Sequence, residues 1–269
     1  MRIPCYTWQA DPVGAAEYLK VIRQFGSNDE MRLWAEDYVH GHAGRLRWDV
    51  EFLAANYPFA SCVNVGGAPF LFEYLMLKSR QDLRLLSLDL NITRFPKVPD
   101  VLGMTVVEAN IEQNEELPEL IGEFDCVVFC EIFEHLRLNL LQTMQSVSQL
   151  IAPGGILYLT MPNGMGLSAW LTKFAEGRTG PDPVSEWIKL VKIGHMGHVR
   201  EYSIRELRSV LHYCGLEIER CFFRRQSTFR GTARSWVRDT GQVIATRLIP
   251  SLGDEIGVVA RRAQGSWGS

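Results

Sequence analysis

Residues able to do chemistry gather in two stretches of this chain. The first is Glu131-Ile132-Phe133-Glu134-His135, directly after the apolar run Cys126-Val127-Val128-Phe129. If helical, it places Glu131, Glu134 and His135 at i, i+3 and i+4, on one face. The second is His195-Met196-Gly197-His198-Val199-Arg200-Glu201-Tyr202. Two carboxylates with one or two imidazoles suit a divalent cation such as Mg²⁺ or Mn²⁺, held by Glu131, Glu134, His135 and His198, with positions left for substrate oxygens. Such an ion lowers the pKa of an attacking hydroxyl. The same residues allow a metal-free reading, in which His135 or His198 is the general base and Glu131 touches a cofactor. A third reading is purely structural: the Glu-His pair orders a loop by hydrogen bonding.

A ligand turn lies upstream, in Ser61-Cys62-Val63-Asn64-Val65-Gly66-Gly67-Ala68-Pro69-Phe70. A buried strand runs into small residues and then a helix, so backbone can approach a ligand and the helix N-terminus offers free N–H groups. Alone, such a turn is common without any ligand. About 20 residues on, Asp89 closes a second strand, where a carboxylate accepts ribose hydroxyls. Asn110 and Ile111 follow a third strand and offer an amide and a backbone N–H to a base edge. Arg45, upstream of the turn, is either a bidentate partner for a cofactor carboxylate or an ordinary surface arginine.

The elements that carry these residues alternate. Apolar periodicity predicts helices over 13–25, 28–39 and 46–56, broken near Gly41 and Gly44. Short β-branched runs then predict strands at 61–65, 83–88, 104–108, 126–129 and 155–160, with helices between them at 71–79 and 136–151. Pro153-Gly154-Gly155 reads as a helix stop and tight turn. Ser203 with Glu206 forms a capping box for a helix over 204–213, and strands over 216–223 and 255–260 follow. Strands wound with helices define an α/β fold with a mostly parallel sheet and helices on both faces.

Composition narrows the class. The 269 residues are 46% hydrophobic and carry a formal charge of -3, which suits one sizeable core and argues against a surface that grips nucleic acid throughout. Residues 217–262 are locally basic, with arginines at 220, 224, 225, 230, 234, 238, 247, 261 and 262. They read first as a solvated helical face and second as a surface for phosphate, RNA or anionic lipid. The six cysteines lack metal-knuckle spacing and read as buried free thiols. No apolar run reaches the ~18 residues of a membrane span, so a soluble, cytoplasmic protein is expected.

The ordered set Gly66-Gly67-Ala68, Asp89, Asn110, Glu131 and Pro153-Gly154-Gly155 resembles the class I S-adenosylmethionine-dependent methyltransferases, over about 61–260. The resemblance implies a Rossmann-like, seven-stranded sheet. It also implies S-adenosylmethionine held by Asn64, Gly66, Gly67, Ala68, Asp89, Asn110, Ile111, Glu131 and Arg45. This sequence departs from the family pattern at Asn64, where an acid is usual, and at Phe70, where a glycine is. Residues 1–58 are expected to form a helical lid over a domain at 59–269. That domain carries an insertion at about 164–194, with Trp170, Phe174 and Trp187, and an amphipathic stretch at about 228–249. The expected activity is O-methylation of a hydroxyl on a sugar or other small metabolite. Two alternatives stay open. The acid-x-x-acid-His segment also resembles metal-dependent RNA 3′-end ribose methyltransferases, and the altered loop is compatible with a non-catalytic interaction protein.

Overall fold

In a computed structural model, residues 3–25, 28–113, 118–178, 182–193, 197–227 and 233–262 are described. The chain divides into two compact units. One is Gln9–Phe129 with Gln145–Leu157; the other is Met1–Trp8, Cys130–Met144 and Tyr158–Ser269. The opening strand, β1 (Cys5–Trp8), belongs to the second unit.

The first unit starts with two helices, α1 (Pro12–Phe25) and α2 (Asp29–Asn56). Expected as two pieces, α2 is a single 28-residue helix capped by the Asn28 side chain on the Met31 N–H at 2.8 Å. Gly41 and Gly44 do not break it. A side chain at Gly44 would collide with the Gln9 carbonyl, so this glycine serves a close crossing of the chain, while Gly41 faces open space. Both helices belong to the same compact unit as the first strands.

Four strands follow: β2 (Ser61–Val65), β3 (Arg84–Asp89), β4 (Thr105–Glu108) and β5 (Phe124–Cys130). Helix α3 (Leu71–Ser79) links β2 to β3, and the short α4 (Val98–Leu102) precedes β4. Every β2 residue is buried, as a parallel strand covered on both faces requires. Strand β2 pairs in parallel with β3 and β5, and β3 with β4. Chain order therefore reverses on either side of β2, the arrangement that opens a crevice at the carboxyl ends of strands. Asp125 locks the opposite end: its Oδ2 accepts from the Ala60 and Ser61 N–H groups at 2.9 and 3.0 Å. The Ala60 N–H is the main cause that holds its carboxyl below the usual range.

Helix α5 (Leu140–Gln149) leads into β6 (Ile151–Pro162), whose residues divide between the two units. Pro153-Gly154-Gly155 is not a turn before this strand but lies inside it. Gly154 takes φ +80, and a Cβ on Gly155 would sit 2.9 Å from the carbonyls of Phe124 and Asp125. Gly155 thus lets β6 run tight beside β5, where a side chain would not fit, while Gly154 supplies the left-handed backbone.

The second unit orders its strands β1-β7-β8-β6, with β7 (Leu216–Gln226) antiparallel to β8 (Glu255–Arg262) and β1 parallel to β7. The described residues hold eight strands, not the seven expected. The extra one is β1, which pairs with β7 from Cys5↔Phe223 to Trp8↔Gln226. The Trp8 indole also donates to Glu255 at 3.3 Å. Helices α6 (Leu167–Glu176) and α7 (Pro183–Ile193) fill the expected insertion, α8 (Ile204–Tyr213) carries the capping box, and α9 (Ala233–Leu248) fills the amphipathic stretch. All six cysteines are free thiols. Among the described residues, no helix is long and apolar enough to cross a membrane. The architecture is a Rossmann-like α/β fold.

Candidate functional site

Two groups of residues stand out, one in each unit. In the first unit, the turn after β2 is fixed from several sides. The Gly66 N–H donates to the Leu88 carbonyl at 2.7 Å, and the Ala68 N–H donates to Asp89 Oδ2 at 2.9 Å. The other Asp89 oxygen accepts from the Asn91 N–H, also at 2.9 Å. Each oxygen of a carboxylate has two acceptor directions, so Asp89 can hold the turn and still receive ribose hydroxyls. Tyr18, buried on α1, donates its hydroxyl to the Pro69 carbonyl. Burial pushes this phenol well above its ordinary pKa, so it stays a donor.

Phe70 sits in the left-handed region at φ 68, just before α3, with a fully buried ring. This is the conformation that makes glycine usual at such a position. Phe70 therefore trades backbone strain for ring burial.

The cofactor residues expected from sequence lie as follows. Asn64, the last but one residue of β2, is buried and donates through its amide to Glu73 at 2.8 Å. Asn110 accepts through Oδ1 from the Glu112 N–H at 3.1 Å, and Ile111 opens a single 3₁₀ turn after β4. Arg45 is buried on α2, one turn from buried Asp49, and is not a surface residue.

Sequence reading missed Glu73. It enters from the first turn of α3, is 0% exposed, and its Oε1 also accepts from the Ser87 hydroxyl at 2.7 Å. A side chain on Gly67 would collide with both Ser87 Oγ and Glu73 Oε1. The missing side chain of Gly67 therefore makes room for Glu73 below the turn. Burial is the main cause that raises the Glu73 carboxyl to about 7. The visible signal was one acid inside the apolar run Leu71-Phe72-Glu73-Tyr74-Leu75.

In the second unit, Glu131 follows β5 at φ 57, a left-handed conformation rare for a side-chain-bearing residue. It is not helical and does not share a helical face with Glu134. Its N–H donates to the Thr160 carbonyl at 2.8 Å, and its Oε1 accepts from the Thr160 hydroxyl at 3.0 Å. Phe133–His135 form one 3₁₀ turn, anchored by the buried Phe133 ring edge-on to Tyr202 at 4.8 Å.

That turn brings Glu134, His135 and His198 together. Glu134 is buried, and its Oε1 lies 3.7 Å from His135 Nε2 and 3.8 Å from His198 Nε2. The imidazole rings meet edge-on at 5.2 Å, and each side chain is about a third exposed. The three offer ligand atoms within 4.8 Å of one another; Glu131 lies outside this group. The His198 loop is tied down by the Val199 and Arg200 N–H groups, which donate to the Glu134 carbonyl at 2.8 and 3.3 Å. His198 Nδ1 lies 3.4 Å from Glu201, and the capping box begins at Ser203. Gly197 is required here because a side chain would collide with the buried Glu186 carboxyl from α7. His195 lies outside the described residues.

The aromatic residues of the insertion are exposed. Phe174 is 75% and Trp187 57% exposed, with Trp170 4.9 Å from Phe174. An open apolar depression of about 640 Å³ is lined by Val184, Trp187, Ile188 and Val191. The basic stretch is less free than its composition suggested. Arg224 and Arg225 are buried, and their guanidinium nitrogens lie 3.0 Å from Glu255 and 2.9 Å from Asp239. Arg230 lies outside the described residues.

The family model for a methyltransferase domain matches residues 45–220, and the chain belongs to that family. The family implies S-adenosylmethionine as cofactor, and the Asp89 carboxylate beside the small-residue turn Gly66–Ala68 is compatible with it. Solved structures share the fold at low identity. A Haloferax volcanii protein described as a methyltransferase, in complex with the Trm112 methyltransferase activator, is 15% identical with a TM-score of 0.59, over 88% of this chain and 99% of that one. An S-adenosylmethionine-dependent methyltransferase from Mesorhizobium loti is 16% identical with a TM-score of 0.51, over 81% of this chain and 98% of that one. The mitomycin 7-O-methyltransferase MmcR is 14% identical with a TM-score of 0.52, over 93% of this chain and 67% of that one. No curated protein matches the sequence.

Proposed function

We propose that the protein transfers a methyl group from S-adenosylmethionine to a hydroxyl of a sugar or other small metabolite, with His135 or His198 as the base. The observation that carries this reading is the pair of partly exposed imidazoles over the buried Glu134 carboxylate. When bound, the cofactor supplies an electrophilic methyl on a sulfonium. The chain's own part is to orient the acceptor and take its proton. A buried carboxylate this close stabilises the imidazolium formed when either ring accepts a proton. Glu131, held in its unusual conformation by Thr160, is assigned to the cofactor, as are Asn64, Gly66, Gly67, Ala68, Asp89, Asn110, Ile111 and Arg45. The exposed Trp170, Phe174 and Trp187 supply flat apolar faces of the kind that stack on sugars and rings. Transfer of labelled methyl to a panel of hydroxylated metabolites tests the reading. It fails if protein that binds cofactor labels no hydroxyl acceptor, or if His135→Ala and His198→Ala leave the rate unchanged.

A second reading is favoured by the compactness of the Glu134, His135 and His198 group, whose ligand atoms meet the spacing of a cation site. Two imidazoles with one carboxylate favour Mn²⁺ over Mg²⁺, because imidazole suits transition ions better. In this reading the ion binds the acceptor oxygens and lowers the pKa of the hydroxyl. Elemental analysis and activity in chelator separate the two readings.

A further inference from the structure

Glu73 is a buried acid wedged between three elements of the cofactor half. It comes from α3 and accepts hydrogen bonds from Asn64 on β2 and Ser87 on β3 through the same oxygen. Its other oxygen, Oε2, is buried with no hydrogen-bond partner among the described residues. Gly67 leaves the space that Glu73 occupies, so the acid and the turn were shaped together. The end of β2 itself carries the neutral Asn64.

We propose that Glu73 is the acid of the cofactor turn, supplied from the helix instead of the strand, and that binding of the cationic cofactor is coupled to loss of its proton. This rests on the reading of Gly66–Pro69 as the cofactor turn. The titratable groups that act on Glu73 or feel it are Asp89 at the end of β3, Tyr18 on α1 and Cys62 on β2. Tyr18 and Cys62 are held neutral, Tyr18 mainly by burial and Cys62 mainly by its hydrogen bond with Cys126. Asp89 is a like charge and opposes ionisation of Glu73. A ligand bearing ammonium and sulfonium groups beside this turn does the opposite, since an opposite charge favours the ionised carboxylate. S-adenosylhomocysteine lacks the sulfonium and drives the change less.

The test is calorimetric titration of the full chain with S-adenosylmethionine and with S-adenosylhomocysteine from pH 6 to pH 8, in two buffers of different ionisation heat. With the Glu73 carboxyl titrating at about 7, S-adenosylmethionine affinity is expected to be about tenfold weaker at pH 6 than at pH 8. Binding near pH 7 releases about half a proton per site, and S-adenosylhomocysteine shows a smaller effect. Glu73→Gln keeps the acceptor oxygen but abolishes both the pH dependence and the proton release. Ser87→Ala, which removes one donor to the ionised form, moves the midpoint of the affinity curve to higher pH and serves if Glu73→Gln does not fold. S-adenosylmethionine binding without pH dependence, or an unchanged dependence in Glu73→Gln, overturns the role of Glu73 alone. An unmoved midpoint in Ser87→Ala does the same. Absence of binding at every pH overturns the cofactor reading of the turn, and this proposal with it.

Discussion

The side-chain amide of Asn64 donates to Glu73 over 2.8 Å and so joins the end of β2 to the first turn of α3. Position 64 departs from the usual acid of the family, and this contact shows where an acid stands instead. A neutral donor on the strand faces an acceptor from the helix.

Glu73 makes stability depend on pH in a definite direction. Its folded pKa, about 7, lies above the ordinary value of 4.5. The folded state therefore binds more protons than the unfolded one between those limits, and stability present below pH 4.5 is lost as pH rises through 7. The difference amounts to about 3 kcal/mol. Denaturant midpoints of the ligand-free protein are expected to fall between pH 5 and pH 8, and those of Glu73→Gln to fall much less. Equal slopes in the two proteins would assign the pH dependence elsewhere.

The two glycines of α2 respond oppositely to alanine. Gly41 faces open space, so Gly41→Ala gains about 1 kcal/mol of helix propensity. Gly44→Ala places a Cβ on the Gln9 carbonyl and is expected to cost about 1–3 kcal/mol. Thermal unfolding of both variants decides this, and a stabilising Gly44→Ala would show that the crossing at Gln9 is not tight.

At Phe70 the usual ranking of alanine and glycine inverts. Loss of the buried ring costs about 3–5 kcal/mol in either variant. Alanine keeps the left-handed strain that glycine removes, at about 1 kcal/mol. Phe70→Gly is therefore expected to be the more stable of the two in urea denaturation. The opposite order would mean that this residue is unstrained.

In the proposed reaction Glu134 supports the imidazole that takes the proton, so Glu134→Gln is expected to lower methyl transfer by about 10²–10⁴-fold with cofactor affinity intact. Rate and calorimetric measurements on the same variant separate these effects. If the variant instead loses one bound Mn²⁺ per chain that the parent retains, the cation reading replaces the base.

Sequence pattern located β2, α3 and α8 residue for residue: β2 is a short apolar run that ends on small residues, α3 an apolar run that follows them, and α8 has one apolar face behind a capping box. It misplaced elements where tertiary contact overrides local preference. Gly44 reads as a helix breaker until the Gln9 carbonyl is seen against it, and Gly155 reads as part of a turn until the β5 carbonyls are seen against it. Strand β1 is only four residues long and gains its meaning from the edge of β7. At the candidate site, Glu134, His135 and His198 were legible from residue type alone. Glu73 was not, since an acid in the first turn of a helix ordinarily faces water.

Calorimetry with the purified protein at pH 8 shows whether this chain holds S-adenosylmethionine at Gly66–Pro69. One site per chain is expected, weakened at least tenfold by Asp89→Ala in protein that remains folded, about the loss of one charge-assisted hydrogen bond. No detectable heat at millimolar cofactor, or binding unaffected by Asp89→Ala, would contradict this cofactor site.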